Sequence, residues 1–205
     1  MVTCLCSGPV FCCSLRHRGP DWSGIAVLKD GGVIVHERLA IMHPETGAQP
    51  LVSSDGAITL SANGEIYNYL EEADEAGVPQ EEMLTDCSII IPLYRKYGDD
   101  FVKRLRGMFS FILHDAEKDR YIVVRDHMGI TSLYYGYAPD GSMWFGSEMK
   151  ALLHGCVHIK NFPPGHIYVS DEEKFLPWYQ PDWLFPGHIA QQPLDLTLLR
   201  EVLSQ

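Results

Sequence analysis

The sequence feature that most constrains the fold of this chain is a succession of short β-type runs, each bounded by residues that favour turns. The Asp140-Gly141 pair between two aromatic-rich runs, for example, favours a tight hairpin. Short strands joined by tight turns pair with their neighbours in antiparallel sheets. Helical patterns are fewer, so we predict an α+β fold with mostly antiparallel sheets. The predicted strands cover residues 25–28, 33–36, 58–62, 109–114, 121–125, 133–137, 143–146 and 166–169.

Helical periodicity is confined to a few segments. Asp86 is placed to N-cap a helix whose apolar residues recur with the helical period, and Gly98 is placed to end it. A second helix is predicted over 100–105, and a third begins at Ser147. Asp195 N-caps a final amphipathic run. Since little chain follows that run, we expect its apolar face to pack on residues outside these 205.

The charge balance argues against several classes of partner. Sixteen Lys and Arg against 27 Asp and Glu give a net charge of -11, which repels the phosphates of nucleic acids. No apolar run reaches the length of a membrane span, and no basic segment precedes the N-terminal apolar stretch as it does in a secretory signal. The sequence therefore predicts a soluble cytoplasmic protein with neither nucleic acid nor membrane as a partner.

Four of the six cysteines crowd the first thirteen residues, at Cys4, Cys6, Cys12 and Cys13. A disulfide framework is typical of short secreted chains, which this sequence does not resemble. A zinc site is the alternative, but the two pairs lack the usual spacing of two to four residues between ligands. The sequence therefore favours reduced thiols and no bound metal.

A series of motifs follows in a fixed order along the chain. They are RHRGPDWSG at 16–24, HERLAI at 36–41, GAQPL at 47–51, NGEIYN at 63–68, TDC at 85–87, LRGMF at 105–109, RDHMG at 125–129 and GSEMKAL at 146–152. In this order and spacing they resemble the glutaminase domain of glutamine-hydrolysing asparagine synthetases, which is a class II glutamine amidotransferase. The resemblance runs from about Leu15 to the C-terminus.

The resemblance implies an N-terminal-nucleophile hydrolase fold, a four-layer αββα sandwich with mostly antiparallel sheets. In that family an N-terminal Cys attacks the side-chain amide of glutamine, with its own α-amine as base. The ammonia released passes to a second, ATP-using domain that amidates aspartate. By this resemblance, 1–14 is a divergent Cys-rich stretch and 15–175 is the glutaminase domain, while 176–205 is a linker with the first helix of a synthetase domain.

The family's glutamine-binding residues carry over to this sequence. Arg38 is expected to hold the α-carboxylate of glutamine, a role that suits a planar fork of donors. The Asn63 side chain and the Gly64 backbone N–H are expected to form the oxyanion hole. The wall of the pocket is expected to continue through Leu39, Ala40, Ile41 and Met42.

Two acidic residues and one further arginine complete the expected site. Glu65 and Asp86 are expected to accept hydrogen bonds from the α-ammonium of glutamine, and Arg18 to support the surroundings of the nucleophile. Taken singly, each site residue also has a structural interpretation, such as a hairpin turn at Asn63 or a helix cap at Asp86. Their occurrence together, among the other motifs, favours the functional one.

The first residues depart from the family pattern, which begins Met-Cys-Gly-Ile. Only fourteen residues precede the junction at Leu15, and Pro9 suits a central strand poorly, so we expect the first strand and helix of the fold to be missing. Removal of Met1 would expose Val2, whose side chain has no nucleophile. Smaller departures are Ser88, where the family usually has Glu, and Ser132, where it usually has Pro.

Two hypotheses for the function follow. In the first, the chain is the glutaminase domain of a glutamine-dependent asparagine synthetase, incomplete as written, with glutamine as ligand. It needs no cofactor of its own, because ATP and Mg²⁺ belong to the synthetase domain. In the alternative, it is a truncated, non-catalytic pseudo-glutaminase that binds glutamine or a synthetase partner. A synthetase domain or a second copy of the chain is the expected protein partner.

Overall fold

The computed structural model describes residues 2–6, 14–29, 31–40, 47–79, 83–185, 187 and 193–204. Within these residues, twelve strands form two antiparallel six-stranded sheets. The strands are β1 (Val2–Cys6), β2 (Trp22–Val27), β3 (Val33–Arg38), β4 (Leu51–Val52), β5 (Ile58–Ile66), β6 (Gly107–Asp115), β7 (Arg120–Arg125), β8 (Tyr134–Tyr137), β9 (Met143–Gly146), β10 (His158–Asn161), β11 (His166–Val169) and β12 (Lys174–Pro177).

The helices are few and short. The α-helices of the described residues are α1 (Tyr69–Ala76), α2 (Ile90–Tyr97) and α3 (Leu196–Leu203). The described residues also form short 3-10 helices, at Arg16–Arg18, Asp86–Ile89, Gly98–Arg104, Met149–Ala151 and Asp182–Leu184. No helix in these ranges combines the length and the apolar character that a membrane crossing requires.

The two sheets face each other. The strands β3 and β5, which carry predicted site residues, lie in different sheets. The first sheet has the order β10-β8-β9-β1-β3-β2, and the second has the order β12-β11-β7-β6-β5-β4. β3 lies against β5, and β1 lies against both β5 and β6. Residues at the ends of β3 and β5 therefore meet across the space between the sheets.

Alternating side chains on the strands fill three apolar layers. Ile34 and Phe145 of the first sheet pack with Ile112 of the second in the layer between the sheets. The outer face of the second sheet packs on the helices, with Leu93 of α2 fully buried there. Leu15 belongs to the core on the outer face of the first sheet. These layers give the predicted α+β sandwich.

The prediction that the first strand is missing is wrong. β1 occupies Val2–Cys6 and lies between β3 and β9 in the interior of the first sheet. Its register places Val2 opposite Glu37 and Cys4 opposite Gly146. The strand ends before Pro9, so the missing N–H of that proline interrupts none of its hydrogen bonds. The predicted absence of the following helix concerns residues 7–13, which lie outside the described residues.

The predicted strands are confirmed, with ends that shift by a few residues. The helix predicted after Asp86 is observed as a 3-10 turn followed by α2, and it ends at Gly98 as predicted. The segments predicted to be helical at 100–105 and after Ser147 are short 3-10 turns. Asp195 caps α3 as predicted, because its carboxylate accepts hydrogen bonds from Thr197 N and Leu198 N. All the apolar side chains of α3 are exposed.

Candidate functional site

Arg38 lies at the end of β3 with only 5% of its surface exposed. Its guanidinium group lies directly over Gly47, because a Cβ built on Gly47 would come within 2.7 Å of Arg38 Nη2. The same Cβ would lie 2.9 Å from Cγ2 of Thr85. Gly47 therefore leaves room for the arginine and brings it beside the 3-10 segment that starts at Asp86.

Asn63 and Gly64 lie near the end of β5, in the sheet opposite Arg38. Gly64 has a φ of 141°, and a Cβ there would lie 2.0 Å from the carbonyl oxygen of Met108. Only glycine fits this position. The Asn63 amide nitrogen is buried and has no hydrogen-bond partner among the described residues. An unpaired buried donor costs about 1–3 kcal/mol, which a ligand's oxygen would recover.

Asp86 is buried at the start of its 3-10 segment and joins this segment to β5. Its Oδ2 accepts a hydrogen bond from Ile66 N at 2.7 Å. The prediction that Asp86 is the N-cap is wrong, because Thr85 holds that position and shares a capping box with Ser88. Because Thr85 caps the segment, the Asp86 carboxylate can instead accept a hydrogen bond from β5.

Cys87 is a neighbour that the sequence motifs did not single out as a site residue. Its thiol is fully buried, with Sγ 3.9 Å from the Gly64 carbonyl oxygen and 3.7 Å from Oδ2 of Asp86. Burial, and secondarily the charge of Asp86, raises the pKa of this thiol. Cys87 therefore stays protonated at neutral pH and is unsuited to act as a nucleophile. It packs the 3-10 segment against β5.

These contacts form a continuous path from one sheet to the other. It runs from Arg38 past Gly47 and Thr85 to Asp86, and from there to the end of β5. The path thus links three sequence-predicted residues, Arg38, Asp86 and Gly64, and Asn63 directly precedes Gly64 on β5. A guanidinium group, an unpaired amide donor and a carboxylate in one place can bind an amino acid at its carboxylate, its side chain and its ammonium group.

The other predicted site residues are placed differently. Leu39 is exposed, and Ala40 donates its backbone N–H to Asp21 Oδ2 at 2.8 Å. Ile41 and Met42 lie outside the described residues. The Glu65 side chain is exposed near Asp86, and its charge contributes to the raised pKa of the Cys87 thiol. The roles assigned to these residues stay predictions.

Arg18 lies near the start of β1 and the end of β3, since a Cβ built on the adjacent Gly19 would come within 2.5 Å of Arg38 N. Its guanidinium group donates to Ser132 Oγ at 3.2 Å and to the Ser147 carbonyl oxygen at 3.5 Å, and it pairs with Glu148 at 3.6 Å. Ser147 directly follows β9, whose last residue Gly146 pairs with β1. Arg18 is thus fixed beside the first strand. Ser132, which stands where the family usually has Pro, also contributes here, since its hydroxyl donates to the Ser147 carbonyl at 2.7 Å.

A second group of buried polar side chains lies between the sheets. His36 Nδ1 is 2.8 Å from Ser61 Oγ, and both residues are fully buried. Like the Asn63 amide, His36 Nε2 and Ser110 Oγ have no hydrogen-bond partner in the described part of the chain. Burial, with the charge of Arg38 adding to it, lowers the pKa of His36 to about 3. His36 is therefore neutral at physiological pH.

The buried His36 predicts a loss of stability in mild acid. Its pKa is about 3 in the folded chain against an ordinary value of 6.5, so the unfolded chain alone takes up the proton as the pH falls from 6.5 towards 3. Between pH 7.5 and pH 5 the free energy of unfolding should drop by about 2 kcal/mol from this residue. Urea unfolding at the two pH values checks this. A His36→Gln variant should lack this part of the drop, and equal pH dependence of the two proteins would contradict the prediction.

A cleft of about 460 Å³ lies apart from this path. Its lining includes Val52 of β4, Val78 after α1 and Ile91 of α2, together with Ser88. None of the predicted site residues lines it. Among the described side chains, no three His, Cys, Asp or Glu residues come together as metal ligands would. The side chains of the four N-terminal cysteines lie outside the described residues, so the zinc alternative is untested there.

Solved structures share the architecture of this chain. Glutamine phosphoribosylpyrophosphate amidotransferase from B. subtilis superposes with a TM-score of 0.69 at 19% identity, over 88% of this chain and 49% of that one. A glutamine aminotransferase class-II domain protein from Silicibacter pomeroyi gives a TM-score of 0.51 at 15% identity, over 82% of this chain and 92% of that one. The fold is that of the N-terminal-nucleophile glutamine amidotransferases. The chain belongs to the glutamine amidotransferase domain family, which matches its residues 10–165.

Relatives at higher identity support the resemblance seen in the motifs. The chain is 44% identical over 193 residues to the nodule asparagine synthetase [glutamine-hydrolyzing] of Pisum sativum, and 45% identical over 193 residues to asparagine synthetase [glutamine-hydrolyzing] 1 of Saccharomyces cerevisiae. Each match covers 93% of this chain but only 32% and 34% of the relatives. The chain therefore spans about a third of the length of these relatives.

Proposed function

We propose that this chain is the glutaminase domain of a glutamine-dependent asparagine synthetase. The observation that carries the proposal is the buried, unpartnered Asn63 amide beside Gly64, which lies across the sheets from Arg38. An amide donor left unpaired next to a backbone that tolerates only glycine suits an oxyanion hole. The relatives' designation as glutamine-hydrolysing supports the same function, and it does not favour the non-catalytic alternative.

The proposed binding mode follows the charges of the site. Arg38 holds the α-carboxylate of glutamine through two parallel N–H donors. Asp86, with Glu65 at the rim, accepts hydrogen bonds from the α-ammonium group. The segment of Leu39, Ala40, Ile41 and Met42 forms the adjoining wall. The side-chain amide of glutamine then points towards Asn63.

The proposed reaction requires an N-terminal thiol at the start of β1, a position that Val2 occupies in this sequence. Its sulfur attacks the amide carbon of glutamine, and the carbonyl oxygen becomes an oxyanion that accepts hydrogen bonds from Asn63 Nδ2 and Gly64 N. The α-amino group of the same residue takes up the thiol proton during the attack, and the C–N bond breaks as the resulting α-ammonium group passes that proton to the leaving nitrogen, which departs as ammonia. Water then cleaves the thioester and releases glutamate. Arg18 supports the surroundings of this first strand.

The wider assignments are proposals about the whole protein. Ammonia released here would be consumed by the other two thirds of the protein that the relatives' length implies. The exposed apolar side chains of α3, within the proposed linker segment 176–205, support packing on a synthetase domain rather than on residues of 15–175. We assign no cofactor to this chain, since ATP and Mg²⁺ act in the synthetase domain. A cytoplasmic location fits this role.

Calorimetric titration with glutamine tests the binding proposal. The folded chain should bind L-glutamine and discriminate against D-glutamine, because Arg38 and Asp86 fix both groups on the α-carbon. Arg38→Ala should weaken binding about 100-fold, since two charge-assisted hydrogen bonds are lost. Arg95→Ala is the matched control, because Arg95 is half-exposed and pairs with Asp55 away from the site. A folded parent chain that does not bind L-glutamine would overturn the proposed function.

A further inference from the structure

We propose that His36 and Ser61 are a positioning pair, whose hydrogen bond between the two sheets sets the separation of Arg38 from Asn63. This inference deepens the proposed function and rests on it. Neither residue belongs to the glutamine-binding set, and neither would touch the ligand in the proposed binding mode. Their role is to hold two strands that carry the binding groups.

The argument begins with strand alternation. His36 lies two residues before Arg38 on β3, and Ser61 lies two residues before Asn63 on β5. Residues two apart on a strand point to the same face of the sheet. The face of β3 that carries His36 therefore also carries Arg38, and the face of β5 that carries Ser61 also carries Asn63.

The hydrogen bond joins these two faces directly. His36 Nδ1 lies 2.8 Å from Ser61 Oγ, and the two strands belong to different sheets. The two bonded residues therefore each lie two positions, about 7 Å along the strand, from Arg38 on β3 and from Asn63 on β5. A change in the position of one sheet relative to the other at this point moves Arg38 relative to Asn63.

An apolar contact lies next to this hydrogen bond. Ile34 of β3, one step further from the site, packs with Ile112 of β6, which is the cross-strand partner of Ser61. Apolar contacts are non-directional, whereas a hydrogen bond weakens steeply when its angle or distance changes. The His36–Ser61 bond is thus a directional contact between the two strands beside the site. His36 makes it through one ring nitrogen, since Nε2 has no partner in the described residues.

The test compares two serine variants by glutamine titration. Ser61→Ala should weaken L-glutamine binding about tenfold at a temperature where the variant is fully folded, and Ser61→Thr should restore it by returning a hydroxyl. Ser110→Ala is the matched control. Ser110 is equally buried and lies directly opposite Asn63, but its hydroxyl has no hydrogen-bond partner among the described residues. Loss of binding in Ser110→Ala and not in Ser61→Ala would overturn the proposal.

A second measurement separates this inference from the proposed function. The NMR signal of the Arg38 side-chain Nε–H reports the surroundings of that residue without any ligand. It should shift in Ser61→Ala and stay in place in Ser110→Ala. An unmoved Arg38 signal in folded Ser61→Ala overturns the positioning role, whether or not glutamine binds. A shifted signal in a chain that binds no glutamine supports the link and overturns the proposed function alone.

Discussion

Val2→Cys is expected to give a protein that hydrolyses glutamine, while the parent protein that begins Met1-Val2 does not. After removal of Met1 the variant presents a thiol and a free α-amine on one residue, as the proposed reaction requires. The register of β1 places residue 2 opposite Glu37, which precedes Arg38 on β3. β1 also lies against β5, which carries Asn63. The new thiol thus starts the strand next to both binding groups.

Glutamate formation from glutamine measures this activity, together with mass spectrometry to verify that Met1 has been removed. Val2→Ala is the control for a changed but unreactive first residue, and it should show no turnover. Adding Asn63→Ala to the Val2→Cys variant should lower the rate by about two to three powers of ten, as expected for the loss of one oxyanion-hole donor. Turnover unchanged by Asn63→Ala would remove Asn63 from the mechanism.

Gly64→Ala should destabilise the fold far more than an alanine placed at a turn glycine that has open space around it. The added Cβ would lie 2.0 Å from the Met108 carbonyl oxygen and 2.6 Å from Cα of Phe109. Both are backbone atoms of β6, which pairs with β5 along its whole length, so neither moves without breaking that pairing. We expect a loss of about 4 kcal/mol or more in the free energy of unfolding.

Gly56→Ala provides the matched control for the backbone strain. Gly56 also has a positive φ, of 74°, but nothing lies within 4 Å of a Cβ built there. It should therefore lose only about 1–2 kcal/mol, the cost of placing an L-residue in the left-handed region. Urea unfolding of the two variants gives the comparison. Equal losses would show that the β6 backbone yields at Gly64 and that the close approach is not a constraint.

Local sequence patterns predict most of this fold because most of its strands are apolar runs that end at turns. The strands that escape prediction lack that signature. β10 (His158–Asn161) is largely polar, β4 (Leu51–Val52) is too short for alternation to show, and β12 (Lys174–Pro177) is short and ends at a proline. α1 (Tyr69–Ala76) carries four acidic residues and no continuous apolar stripe. The sequence argues against β1 because few residues precede Leu15 and Pro9 suits a central strand poorly, yet the strand ends at Cys6, before that proline.

The sequence motifs predict which residues belong to the candidate site, but they do not predict which contacts bring those residues together. The end of β5 and the segment after Thr85 are recognisable in the sequence, yet their meeting depends on long-range packing. Asp86 shows the difference, because a local rule makes it a cap and the tertiary structure turns it towards Ile66. The pairing of His36 with Ser61 joins residues 25 apart in different sheets, and no local pattern predicts it.

The interior position of β1 ties the chemistry of the N-terminus to the integrity of a sheet. β3 and β9 both pair with β1 and not with each other. β1 therefore connects β2 and β3 on one side of the sheet to β8, β9 and β10 on the other. Proteolytic trimming that made Cys4 the first residue would remove two of the five residue pairs with β3. Trimming to Cys6 would also delete both residues that pair with β9 and would split the sheet in two. Such a cut would expose a nucleophile, but it would also disrupt the sheet that has to position this nucleophile.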